Sequence, residues 1–186
     1  YLFYLFYILM RIISGKHSGR KIHPPQNMPH TRPTTDIAKE GLFNMLQTRV
    51  QIEGATTLDL FGGTGCISYE LGSRGAANLT IVEKDPIMLD FIKKNIEALK
   101  IENATVLRMD VFQFLTTCTS NYDIIFAGPP YALNTIDELP RIIVERKLIS
   151  PEGYFILEHT PRNNYEQFPG YSFHRNYGTT IFSFFE

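Results

Sequence analysis

The spacing of apolar positions changes along this chain. From residue 56 onward, short apolar runs alternate with amphipathic segments. Strands are expected near 56–61, 78–83, 104–109, 122–127 and 153–158, each of strand length and bounded by turn residues. Helices are expected near 65–73, 86–100, 111–117 and 136–147. In the second of these, Met88, Phe91, Ile92, Ile96 and Leu99 share one side, opposite Lys93, Lys94 and Glu97. Pro86 suits its first turn. Alternating strand and helix predicts a parallel sheet covered on both faces. Two later β-rich runs, Tyr171 to Asn176 and Thr179 to Phe185, meet at Tyr177-Gly178 and read as an antiparallel edge hairpin. The expected fold is α/β: a doubly wound, mostly parallel seven-stranded sheet ending in that hairpin.

Upstream the pattern is less regular. Arg11-Ile12-Ile13 and Arg20-Lys21-Ile22 flank a Gly/Ser/His turn and predict a small hairpin. Pro24 to Pro33 is a proline-rich connector. Thr34-Thr35-Asp36 offers N-caps for a helix through about Thr48, with Ile37, Ala38, Leu42, Met45 and Leu46 at helical spacing. Gly41 weakens that helix. Residues 1–9 are aromatic and apolar but too short to span a bilayer. They carry neither a basic leader nor a small-residue cleavage site. Met10 is expected to be the natural start, with 1–9 from an upstream reading; a membrane-touching anchor is the competing reading. The expected division is 1–9, an apolar extension; 10–33, hairpin and connector; and 34–186, the main domain. The expected location is the cytoplasm.

Composition adds little until it is divided. At 186 residues, 44% hydrophobic and 20% charged, the chain is ordinary for one globular domain. Its net charge of −1 says nothing about partners. Residues 11–50, however, hold seven Lys/Arg against two Asp/Glu, and residues 51–186 hold eleven against seventeen. A basic arm on a mildly acidic domain suits an anionic partner met at that end, although a solvated basic hairpin has the same composition. Cys66 and Cys118 make no disulfide framework, and neither has metal-ligand neighbours in sequence, so no metal site is expected.

Four strand ends carry chemistry. Thr57-Leu58-Asp59-Leu60-Phe61 runs into Gly62-Gly63-Thr64-Gly65, a turn that lets backbone approach a ligand. A tight strand–helix junction without a ligand would use the same glycines. Leu79-Thr80-Ile81-Val82-Glu83 ends in a carboxylate able to accept both hydroxyls of a ribose. Asp110 follows the third strand and can take an adenine amino group, with Val111 or Phe112 on the ring; Asp is equally a favoured helix cap. The fourth strand, Ile124 to Ala127, runs into Gly128-Pro129-Pro130-Tyr131. A rigid Pro-Pro turn can aim backbone carbonyls at the N–H bonds of a planar amine, and the aromatic ring can stack on a base taken out of its helix. An ordinary loop after a strand is the plain alternative.

The acid-x-Phe-x-Gly-x-Gly turn at Asp59–Gly65 resembles motif I of the class I S-adenosylmethionine-dependent methyltransferases, a Rossmann-like fold. Gly128-Pro129-Pro130-Tyr131 resembles the (Asp/Asn)-Pro-Pro-(Tyr/Phe) motif of those that act on planar nitrogen. Met10 to Gly15 with Gly19-Arg20-Lys21, Arg32-Pro33-Thr34-Thr35-Asp36, Ser73-Arg74-Gly75-Ala76 and Glu83-Lys84-Asp85 are similar to bacterial 16S ribosomal RNA guanine-N2 methyltransferases of the RsmD type. The resemblance covers residues 10–186. It implies methyl transfer from S-adenosylmethionine to the N2 of one guanine in small-subunit RNA, within an assembling or assembled 30S particle. It implies a cofactor site of Asp59, Phe61, Gly63, Thr64, Gly65, Glu83, Lys84, Asp110 and Val111, with Arg32 and Thr34 over it, and a reaction platform of Gly128, Pro129, Pro130 and Tyr131. Arg11, Lys16, Arg20, Lys21 and Arg32 would meet RNA phosphates.

Gly128 departs from the pattern, because the family normally has Asp there. A natural variant using backbone carbonyls, a binding-only paralogue and a sequence change are all compatible with it. An amino-methyltransferase acting on DNA adenine or protein glutamine is a further alternative. An NAD(P)-linked oxidoreductase is the weakest, since Gly63-x-Gly65-x-x-Ser68 only approaches its fingerprint.

Overall fold

The structure is a computed structural model that describes residues 10–25, 28 and 34–186. Residues 1–9 and Arg32, for which expectations were set out above, lie outside the described residues. A two-stranded hairpin, β1 (Met10–Arg11) and β2 (Lys21–Ile22), comes first. Helix α1 (Asp36–Leu46) follows, capped by Thr35, whose hydroxyl accepts Ala38 N–H at 3.2 Å. Then come β3 (Thr56–Leu60), α2 (Cys66–Ser73), β4 (Asn78–Glu83), α3 (Pro86–Ala98), β5 (Ala104–Arg108), α4 (Val111–Thr117) and β6 (Tyr122–Ala127). Helix α5 (Glu138–Glu145), β7 (Ile149–His159), β8 (Tyr171–Tyr177) and β9 (Thr180–Phe185) complete the order.

The seven strands lie in the order β5-β4-β3-β6-β7-β9-β8. Pairings from β5 across to β7 are parallel; those of β9 with β7 and β8 are antiparallel. Sequence reversal at β3 makes the β3–β6 junction the switch point, where ligands bind in such sheets. Leu58 and Leu60 of β3 pack with α4 and α5, through Phe114, Leu115, Leu139 and Ile143. The other face carries α1, α2 and α3, through Leu42, Phe43, Ile67, Ile92 and Ile96. Asp59 lies between Leu58 and Leu60 in β3, so the period of two points it to the α2 side.

Most predicted elements stand within two residues of their expected bounds. Strand β7 is the exception, beginning at Ile149 rather than near 153. Ile149 pairs with Tyr122, and the register shifts between Tyr122 and Ile124. Glu152, at φ 63°, takes up that irregularity. Gly41 also has a packing reason: a Cβ there would meet the Tyr177 ring at 2.2 Å.

The hairpin is fastened to the sheet domain by buried polar groups. Glu70 of α2 is fully buried. Its carboxylate accepts Ile13 N–H at 2.7 Å, Ser14 N–H at 3.0 Å and Arg74 Nε–H at 2.8 Å. Ser73 Oγ accepts His17 N–H at 2.9 Å and donates to the Ser14 carbonyl at 2.6 Å. Lys39 of α1, also buried, donates to the Arg11 carbonyl.

Candidate active site

The carboxyl ends of β3, β4, β5 and β6 surround one cavity of about 800 Å³. That volume suits a nucleoside-sized ligand with part of a second group. The glycine turn supplies its floor. Phe61 leaves β3 in the left-handed region, at φ 65°, and Gly63 follows at φ 53°. Gly62 N–H donates to the Val82 carbonyl at 2.9 Å, tying the turn to β4.

Each acidic strand end is already engaged. Asp59 is 3% exposed and its Oδ2 accepts the Ser68 hydroxyl at 2.6 Å. Burial pushes its carboxyl up to about 7; the Ser68 hydroxyl opposes the rise and nearby Glu83 adds to it. Glu83 Oε2 accepts Gly63 N–H at 2.7 Å, and Oε1 accepts Asp85 N–H at 2.8 Å. A carboxylate has about four lone-pair sites, so acceptor capacity remains on both oxygens. Asp110 does cap α4, accepting Phe112 N–H at 2.9 Å and Gln113 N–H at 3.4 Å, but through Oδ1 alone. The cap and the cavity wall are therefore one residue.

The cavity brings together Thr34, Asp59, Phe61, Gly63, Thr64 and Glu83. Lys84, Asp110, Val111, Gly128, Pro129, Pro130 and Tyr131 line it as well. Tyr131 is 44% exposed at its mouth, so its ring is available to stack. Gly65 is not on the cavity wall. It is the left-handed N-cap of α2, where a Cβ would meet the Tyr69 ring at 2.4 Å. Cys66 lines the cavity, and burial pushes its thiol up to about 11, leaving it protonated at neutral pH.

Arg11, Lys16, Arg20 and Lys21 are exposed on the hairpin. They are not at the cavity. Lys16 N–H donates to the Ser73 carbonyl at 2.7 Å, at the C-terminal end of α2, whereas the cavity touches Cys66 and Ile67 at its start. Eight helical residues separate the two by roughly 12 Å. Among the described residues, no cluster of His, Cys, Asp or Glu could hold a metal ion, and no helix is long and apolar enough to cross a membrane.

Several cavity residues escaped the sequence reading, Cys66, Phe126 and Glu158 among them. Glu158, 5% exposed, ends the buried run Phe155-Ile156-Leu157 of β7 and accepts the Thr34 hydroxyl at 2.6 Å. The signal that marked Asp59 and Glu83, an apolar strand closing on a carboxylate, was present there too.

Comparison with known proteins agrees with this architecture. The Escherichia coli K12 protein "Ribosomal RNA small subunit methyltransferase D" is 33% identical over 167 residues, covering 89% of this chain and 83% of that one. The solved structure of Escherichia coli yhhF, described as a candidate methyltransferase, superposes with a TM-score of 0.81 at 29% identity, covering 95% of this chain and 97% of the other. A hypothetical protein of Thermus thermophilus superposes with a TM-score of 0.84 at 26% identity, covering 95% and 99%. The family described as conserved hypothetical protein 95 matches residues 10–186. The chain therefore belongs to that family, which the ribosomal RNA small subunit methyltransferase D proteins share with it.

Proposed function

We propose that this protein transfers a methyl group from S-adenosylmethionine to the exocyclic N2 of a guanine in 16S ribosomal RNA, within the small ribosomal subunit or its assembly intermediate, in the cytoplasm. The observation that carries this reading is a single one. The Pro129-Pro130-Tyr131 turn opens onto the same cavity as the carboxylates of Asp59, Glu83 and Asp110.

The residues present fit the cofactor by size and by donor chemistry. Glu83 takes the ribose hydroxyls, Asp110 the adenine amino group, and Val111 lies against the ring. Asp59 and the Gly63-Thr64 backbone hold the remainder. S-adenosylmethionine supplies a methyl group on a positively charged sulfur. Pro129 and Pro130 hold backbone carbonyls toward the amine N–H bonds, and Tyr131 stacks on the extruded base. Arg11, Lys16, Arg20 and Lys21 meet phosphates away from the reacting base, and Arg32 and Thr34 close over it. Phosphate contacts set about one length of α2 from the cavity suit a folded RNA more than a lone nucleoside.

The test is tritium transfer from S-adenosylmethionine to 30S particles lacking the modification. Incorporation mapped to one guanine N2 is expected; absence of transfer under single-turnover conditions rejects the reading. Gly128 favours one alternative, a paralogue that binds cofactor and RNA without turnover, and any measurable single-turnover methylation eliminates it.

A further inference from the structure

Resting on the methyltransferase reading, we infer that Glu158 is the carboxylate that binds the target amine and takes its proton, in place of the side chain Gly128 lacks. Leu157 of β7 pairs with Ala127 of β6, so Glu158 and Gly128 are neighbours at adjacent strand ends. A Cβ built on Gly128 stands 3.8 Å from Glu158 Oε2. Both residues line the cavity that Pro129, Pro130 and Tyr131 enter. A side chain at position 128 would therefore start in van der Waals contact with the Glu158 carboxylate.

Thr34 is the positioning residue. Its hydroxyl donates to Glu158 Oε2 at 2.6 Å, which orients the carboxylate, and Thr34 itself lines the cavity. In the transfer, the amine lone pair forms the N–C bond. The electrons of the broken C–S bond return to sulfur, which becomes a neutral thioether. The proton lost by nitrogen passes to Glu158 and then to solvent. An ionised acceptor strengthens the amine as nucleophile while the bond forms, a general-base contribution worth about 10²–10⁴ in rate.

A purely structural Glu158, tethering the connector to the sheet, would affect stability but not the chemical step. The intact chain and Glu158→Gln are compared in single-turnover transfer to unmodified 30S particles, S-adenosylhomocysteine affinity by calorimetry, and 30S affinity by filter binding. The expected result is a rate about 10²-fold lower with both affinities within about threefold. A Glu158→Gln rate within about threefold of the intact chain overturns the inference and leaves the methyltransferase reading standing. An inactive intact chain overturns that reading itself. Should Glu158→Gln fail to fold, the Thr34 pair decides: Thr34→Val falls about tenfold below Thr34→Ser, and equal rates for the two overturn the proposal.

Discussion

Replacing Asp59 by Asn should stabilise the protein at alkaline pH while weakening its cofactor site. Asp59 is buried, and its carboxyl is raised from 3.8 to about 7, chiefly by that burial. Between those values the folded chain holds a proton that the unfolded chain has lost. Stability therefore falls as pH rises through this window. At about 1.36 kcal/mol per pH unit, the interval corresponds to a cost of about 4 kcal/mol above pH 7 and none below pH 4. Asn keeps the size of the side chain and an oxygen to accept the Ser68 hydroxyl, but it does not titrate. Urea unfolding of both proteins at pH 4, 6 and 8 is the assay. The curves should meet near pH 4 and separate progressively, with Asp59→Asn the more stable by up to about 4 kcal/mol at pH 8. Parallel curves, or a gap that closes as pH rises, would refute the reasoning. Calorimetry should show the same variant binding S-adenosylhomocysteine at least about tenfold more weakly, stability rising where function is lost.

Two further outcomes follow. Gly128→Asp should not raise methyl transfer. Its Cβ would crowd Phe126 Cε1 at 3.1 Å, costing about 1–3 kcal/mol, and its charge beside Glu158 adds repulsion of about 3 kcal/mol at roughly 5 Å. Urea unfolding should show that loss, and a more active Gly128→Asp would contradict this account. Glu70→Ala should cost about 3 kcal/mol in urea unfolding and speed amide exchange at Ile13 and Ser14, because it strands the donors of both and of Arg74. A loss under about 1 kcal/mol, with exchange unchanged, would show that the hairpin is held elsewhere.

The sheet was legible because its signals are local. Apolar runs ending at Asp59, Glu83 and Ala127 are strands in any context, and their parallel order follows from the intervening helices. The cavity was legible for the same reason, since each acidic end closes its own run. What stayed hidden depends on contacts remote in sequence. Gly41 looked like a weak point in α1 until Tyr177, 136 positions on, filled the space beside it. Glu70 and Ser73 read as ordinary α2 residues, yet they bind a hairpin more than 50 positions earlier. The start of β7 at Ile149 stayed hidden because a bulge cannot be told from a turn without its partner strand. Gly65 stood in the expected cofactor site for its turn alone, and Tyr69 gives it a packing requirement as well.

Strand β9 is the seventh of the sheet strands to be synthesised, yet it lies between β7 and β8. Phe182, Phe184 and Phe185 are completely shielded there, and among the described residues the strand pairing of β8 is with β9 alone. While the chain emerges from the ribosome, the outer edge of β7 waits unpaired and β8 has nothing to join. Native pairing of the last third of the sheet is thus deferred until Thr180–Phe185 is free, and the open edge is an invitation to another nascent chain during that delay.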